Sequence, residues 1–309
     1  MTTGDITSRS PLALGLRRFY AHRLAFGSFI FLVILALVII FLPTLLGITS
    51  SIDYRTVDLL KRFHGISSTH LLGTDELGRD VLMRLLHGGR ISLMVAFVSA
   101  VASLVIGATI GAYAGYYGRS IDTLLMRFTD AMLALPTLPL MILLAAIDLN
   151  KIFPEAFSFM TRGNAASIIK LMIIVVFFGW MTVARLVRGE FLSLKERDFV
   201  QASRALGVSN QKIIWKHMLP NCVAPMIVAI TLSIGSIILY EAVLSFIGLG
   251  IQPPIPSWGN MLHHALEYIR TAPLLAIYPG LFILLTVVSV NFVGDGLRDA
   301  FDPKATRYF

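Results

Sequence analysis

Charge and cysteine are what this 309-residue chain has least of. Only 14% of its residues are charged, against about 25% in an ordinary soluble domain, while 56% are hydrophobic. Mean hydropathy is +0.77. Such a composition excludes a disordered chain and an ordinary cytosolic enzyme. The single cysteine, Cys222, excludes an intrachain disulfide and a cysteine-rich metal site. Neither an HExxH helix nor a GxxxxGK(S/T) phosphate loop occurs, so no Walker-type ATP site belongs to the chain itself. His263 and His264 are adjacent and point about 100° apart on a helix, which suits no single ion. Ser67, Ser68 and His70 cluster in a loop without a buried base or an oxyanion site. No ten-residue segments of strict apolar–polar alternation appear, which argues against a transmembrane barrel. The expectation is a chain with no catalytic residue, no metal and no cofactor of its own.

Long apolar runs are what it has instead. No charge interrupts Leu24–Ile52, Ile91–Gly118, Ala131–Ile147, Leu171–Ala184, Asn221–Tyr240 or Thr271–Gly294. With their flanks, each supplies the roughly 20 residues that a helix needs to cross about 30 Å of hydrocarbon. The spacing predicts an all-α polytopic membrane protein with six transmembrane helices. The net charge of +8 then reads as topology and not as a nucleic-acid surface, because the basic residues sit between the runs. With both termini inside, the inner segments 1–23, 119–127, 185–220 and 295–309 hold 16 of the 26 basic residues. Arg9, Arg17, Arg18 and Arg23 precede a first span too long for a signal-peptide core, so it reads as an uncleaved anchor.

Several residues inside the spans stand out. Gly107, Gly111 and Gly115 repeat at four-residue spacing, a stripe that lets a second helix approach closely, for static packing or for a moving interface. Pro43, Pro136, Pro139 and Pro279 mark helix ends or bends. Arg127 and Asp130, three apart, are placed to pair on one helix face. Glu241 lies well inside an apolar run, where a carboxylate is costly unless hydrated or partnered. It reads either as held by a backbone or hydroxyl contact or as part of a pathway.

The inner segment 190–220, EFLSLKERDFVQASRALGVSNQKIIWKHMLP, is too polar for the membrane and patterned for two short helices. Asp198 and Gln201 resemble a capping-box start. Phe199, Ala202, Ser203 and Leu206 then share one face. Gly207 stops the helix 198–206 where a left-handed residue is wanted, and Ser209 is placed to cap the next, which runs to Leu219 and Pro220. An exposed, rigid helix of this kind suits docking into the groove of a cytosolic partner.

Gln201-Ala202-Ser203, Gly207 and Ile214 through Leu219-Pro220 resemble the EAA loop of ABC importer permeases, with Gln for the first Glu and Ser for the second Ala. Three further stretches are similar to the C-type permeases of dipeptide, oligopeptide and nickel importers. They are His70 to Asp80 (HLLGTDELGRD), Leu244 to Gly250 with Gln252-Pro253-Pro254 and Ser257-Trp258-Gly259, and Asn291 to Pro303 with its Gly294-Asp295-Gly296-Leu297-Arg298-Asp299. Gly73, Thr74, Asp75, Gly78, Arg79 and Asp80 carry the first of these, on the outer side.

This resemblance implies a type I ABC importer permease of the bacterial or archaeal cell membrane. Its parts would be a cytoplasmic segment 1–23, a first transmembrane helix 24–46, an extracytoplasmic loop 47–90, a five-helix core 91–294 containing the coupling loop 189–220, and a cytoplasmic tail 295–309. Partners implied are a homologous B-type permease, two ABC ATPase subunits that hold ATP-Mg, an extracytoplasmic substrate-binding protein and membrane lipid, with no nucleic acid. Peptides lead as cargo, ahead of nickel chelates and opines. A channel or a secondary transporter is the rival, but the latter calls for inverted repeats, and no internal duplication is visible. The outer loop 53–90 is expected to contact the binding protein or the partner permease, unless Asp75 and Arg79 merely pair with each other.

Overall fold

The structure, a computed structural model, describes residues 11–50, 53–147 and 165–301. Arg9, Lys151, Arg162 and the end of the chain from Asp302 lie outside the described residues. Regular structure among the described residues is helical, apart from one isolated bridge between Thr74 and Asp80. In chain order the helices are α1 (Pro11–Ala21), α2 (Arg23–Ser50), α3 (Val81–Tyr117), α4 (Arg119–Leu133), α5 (Thr137–Ala146), α6 (Ala166–Lys195) and α7 (Asp198–Ala205). A helical run Asn210–Phe246 follows, whose regular part is α8 (Val223–Phe246), then α9 (Trp258–Ala265) and α10 (Leu274–Phe301).

Five of these runs are long and apolar enough to cross a membrane: α2, α3, α6, Asn210–Phe246 and α10. α4 and α5 pass the same test only as a pair, bent by 81° at their junction; taken as one span they make a sixth. Sequence pattern alone suggested a kink here. The break is complete because Pro136 lacks an N–H and disfavours helical backbone at Leu135, while Pro139 is harmless in the first turn of α5. α4 is amphipathic, and its charges turn to α6. Asp130 accepts from Arg185 Nε at 3.0 Å, not from Arg127 as the three-residue spacing suggested, and Asp122 accepts from the Arg188 guanidinium at 2.7 Å. A neighbouring helix outcompeted the local partner.

The longest contact in the bundle runs between α3 and α6. A side chain at Gly107 or Gly111 would collide with the carbonyls of Trp180 and Ala184, and one at Gly115 would lie 2.5 Å from Phe191 Cβ. The stripe therefore seats one backbone directly against another. Van der Waals contact of this kind holds helices together where lipid removes any hydrophobic drive. The core around it includes Ala112, Val183, Val187 and Phe191, all essentially inaccessible.

α2 is tied to α3 by a different device. Pro43 cannot donate to the Ile39 carbonyl, and Arg90 supplies that bond from Nε at 2.8 Å while also reaching the Ile40 carbonyl. A basic side chain near the end of a span is thereby satisfied by the acceptors a proline sets free. α3 itself starts at Val81, inside the stretch 47–90 assigned to a loop, because the Asp80 carboxylate caps it by accepting from Met83 N at 2.7 Å. α1 had no signal in the apolar runs. It packs on the end of α10, where Phe19, Ala25, Val293 and Ala300 form a small core.

Substituting Leu for Gly111 is expected to cost about 1–3 kcal/mol or more through overpacking. The same change at Gly27, where a Cβ meets nothing within 4 Å, is expected to be nearly neutral. Thermal unfolding of the two purified variants in detergent, followed by tryptophan fluorescence, measures the difference.

Candidate functional site

The segment that follows α6 is built outward from a buried anchor. α6 ends at Lys195, and extended backbone at Arg197 (φ −75°, ψ 145°) precedes α7. Arg197 occupies the cap position without a side-chain bond, so Asp198 is the first helical residue and not the cap its sequence suggested. Its carboxylate still sits at the positive end of the helix. Gln201 Nε2 donates to the Lys195 carbonyl at 3.0 Å in place of closing a capping box. Val200 is wholly buried and packs into the cluster of Ile213, Ile214, Met218 and Phe191. Phe199 and Leu206 remain 41% and 83% exposed, Gln201 and Ala202 are exposed, and the Ser203 hydroxyl folds back onto the Phe199 carbonyl. One side of α7 is thus bolted down and the other is presented.

Gly207 ends it as the sequence required. Its φ is +72°, Val208 N bonds Ser203 O at 3.1 Å and Gly207 N bonds Arg204 O at 2.9 Å, which together form a Schellman turn. Ser209 takes the next cap position but makes no side-chain bond there. Beyond it Ile213–Met218 are π-helical, a widening that lets Ile213, Ile214 and Met218 all reach the core. Leu219 packs on the same core, and Pro220 lies exposed in the 3₁₀ turn Leu219–Cys222.

Sequence reasoning missed how this segment is fastened to α3. Tyr116 Oη donates to Asn210 Oδ1 at 2.7 Å, and Gln211 Nε2 donates to Tyr113 Oη at 3.0 Å. Trp215 Nε1 donates to Gln211 Oε1 at 3.1 Å, and the Arg204 guanidinium lies 5.0 Å from the Tyr116 ring centre. The tyrosines at 113 and 116 were the available signal, since a phenol packed on apolar surroundings seeks a polar partner.

At the other end of α3 the outer motif folds into a knot. Asp75 accepts from Leu77 N and Arg79 N, each at 2.9 Å, and from Arg79 Nε at 2.7 Å, with Arg84 Nε at 3.3 Å. Arg79 also donates to Glu76 at 2.7 Å, and His70 Nδ1 donates to Asp80 at 2.9 Å. Thr74, Asp75, Arg79, Asp80 and Arg84 are all buried. Local pairing, the alternative to a partner contact, is therefore what the motif's charges do. At Gly78, with φ +72°, a side chain would run into the Asp58 carbonyl, so the chain crosses itself only because glycine stands there. Gly73 makes the matching crossing against His64. His264 borders this cluster, and burial lowers its imidazole pKa. His263 turns away to donate from Nδ1 to the Phe246 carbonyl at 2.6 Å. Glu241, at 0% exposure, meets Ser92 and Ser245.

Five helices long and apolar enough to cross a membrane, with the bent pair α4–α5 and the presented helix α7 between α6 and the Asn210–Phe246 run, form an all-helical bundle. Comparison with known proteins gives the family. Residues 107–307 match the binding-protein-dependent transport system inner membrane component, and residues 10–61 match the N-terminal TM domain of oligopeptide transport permease C. The chain is 40% identical over 298 residues to the dipeptide transport system permease protein DppC of Alkalihalophilus pseudofirmus, covering 96% of this chain and 91% of that protein. It is 37% identical to the oligopeptide transport system permease protein OppC of Bacillus subtilis, over 93% and 88% of the two chains. Identity to the glutathione transport system permease protein GsiD of Pectobacterium atrosepticum is 38%, over 97% and 93%. The inward-facing MetNI methionine ABC transporter shares the fold at a TM-score of 0.50 and 20% identity, over 71% of this chain and 97% of that one. The chain belongs to the binding-protein-dependent inner membrane component family, and is a multi-pass inner-membrane permease subunit of an ABC importer.

Removing the Asp75 charge by Asp75→Asn is expected to destabilise the protein by about 3–5 kcal/mol, because Arg79 and Arg84 are left buried without it. Lys61→Met, which breaks the exposed pair with Asp58, is expected to change stability by less than about 1 kcal/mol. Thermal unfolding of both variants in detergent measures the contrast.

Proposed function

We propose that this chain is the C-type permease of a peptide importer, itself without catalytic groups, and that α7 is its contact with the motor. Supporting the cargo class are the relatives named for dipeptides, oligopeptides and glutathione, each aligned over 88% or more of its own length. A homologous B-type permease completes the membrane pathway, an extracytoplasmic binding protein delivers the peptide, and two ATPase subunits hold ATP-Mg beneath. The observation that carries the coupling role is α7's division into a buried anchor, Val200, and a presented face of Phe199, Ala202 and Leu206.

When the ATPases close, the force enters at that face. Val200 passes it to Ile213, Ile214 and Met218, and so to the Asn210–Phe246 helix. Tyr113 and Tyr116 pass it to α3, which carries it past α6 toward the outer side. On that outer side the knot around Asp75 leaves its charges inward and holds up an apolar rim of Leu59, Leu60, Ile66 and Leu71, with Leu60 98% exposed. This rim is the surface offered to the binding protein or the partner permease. Exposed apolar side chains grouped on a braced loop mark such contacts.

Gly207→Val forces a β-branched residue into positive φ and tilts the presented face. Ala202→Glu puts bulk and charge where a groove must close. Neither position is packed, so both variants are expected to insert and to pair with the B-type permease normally. ATPase capture from detergent-solubilised membranes, or uptake per ATP hydrolysed, is expected to fall at least about tenfold, the effect of losing some 1.4 kcal/mol of contact. Wild-type uptake in both variants would remove α7 from the coupling path.

A further inference from the structure

Glu241 is the one carboxylate among the described residues that sits at 0% exposure, and its surroundings close into a complete donor and acceptor chain. Ser92 Oγ donates to Oε2 at 2.9 Å, and Ser245 Oγ donates to Oε1 at 2.8 Å. Each serine oxygen in turn accepts a backbone amide from the outer segment that follows α8. Trp258 N reaches Ser92 Oγ at 3.3 Å, and Ile251 N reaches Ser245 Oγ at 3.1 Å. A hydroxyl has one proton to give, and here both protons go to Glu241 while both hydroxyl oxygens receive. Both side-chain oxygens of Glu241 are thereby engaged.

The segment between those two amides is seated on the same helices by other means. Trp258 Nε1 donates to the Leu85 carbonyl at 3.0 Å, and Asn260 Nδ2 donates to the Ile251 and Ile255 carbonyls. A side chain at Gly259 would lie 2.8 Å from the backbone of Ala242, and one at Gly88 would lie 3.2 Å from that of Ser257. Residues 247–260 therefore rest on α3 and α8 at backbone contact, with the carboxylate beneath them. Glu241 shows no accessible surface from which to touch cargo.

We propose that Glu241 is a positioning residue. Through Ser92 it holds the Trp258 end of the outer segment to α3, and through Ser245 it holds the Ile251 end to the last turn of α8, so the segment moves with both helices as one body. This goes beyond the coupling role of α7 and does not depend on which cargo is carried.

Two serines serving two different amides make the test selective. Amide exchange is measured by mass spectrometry at residue resolution on the full importer complex in lipid nanodiscs. Ser245→Ala is expected to speed exchange at Ile251 and leave Trp258 unchanged, and Ser92→Ala is expected to do the reverse. Glu241→Gln, which keeps the shape but replaces one acceptor oxygen with a donor, is expected to raise exchange at one or both amides about tenfold. Uptake of a panel of di- to pentapeptides by the Glu241→Gln complex is expected to show a lower maximal rate with the order of preference among peptides unchanged. Unaltered exchange at both amides in Glu241→Gln would overturn the proposal, and so would a reordered peptide preference. Should Glu241→Gln fail to insert, Glu241→Asp takes its place: it keeps both acceptor oxygens but draws them back by one methylene, and unaltered exchange at both amides would overturn the proposal. If the wild-type complex takes up none of the peptides, the cargo reading fails while the exchange arm stands.

Discussion

The backbone-to-backbone approach of α3 and α6 is the contact on which the rest of the molecule depends. It is possible only because three glycines, at positions 107, 111 and 115, leave no side chain between the helices. α3 is one continuous helix of 37 residues, longer than the hydrocarbon core is thick. Its two ends can then carry fixed structure on both sides of the membrane. One end starts at the Asp80 cap beneath the ionic knot, and the other finishes at the tyrosines that grip the coupling segment.

Polar groups in this bundle are used where a protein in water would use apolar packing. Arg90 satisfies the carbonyl that Pro43 releases, and Glu241 gathers Ser92 and Ser245. In hydrocarbon an unpaired donor or acceptor has no water to turn to, so each such group is bound to a specific partner and fixes the position of whatever element carries that partner. Charge thereby becomes geometry. The same reasoning accounts for the knot around Asp75, where six ionisable side chains are arranged between a loop and the start of α3 so that the loop's apolar residues can be held outside.

The segment 198–222 is held in place for reasons that are local and reasons that are not. Its α-helix ends in a Schellman turn dictated by Gly207, which any helix of this sequence would form. Its attitude relative to the membrane comes from Val200, the π-helical turn and the bonds to Tyr113 and Tyr116, all of which depend on elements far apart in the chain. A short helix held by both kinds of constraint can transmit displacement without bending.

Hydrophobic runs, the glycine stripe, Gly207 and the four motifs are statements that the sequence makes by itself, because each depends on residue type at a fixed spacing along one element. They were enough to determine a polytopic helical importer permease and to place the helix α7 with its exit turn. What only the tertiary structure decided are choices between competing partners. Asp130 had Arg127 three residues away and went to Arg185; Asp198 had free amides ahead of it and became part of the helix; Glu241 could have lined a path and is closed in by serines 149 and 4 residues distant. The apparent third span broke at Pro136 into two helices at 81°, and α1, short and of mixed polarity, found its place only against α10. Spacing says which groups can meet within one helix, whereas partner choice is settled by the lowest free energy among all groups the fold brings within reach, and those distances do not exist until the helices have packed.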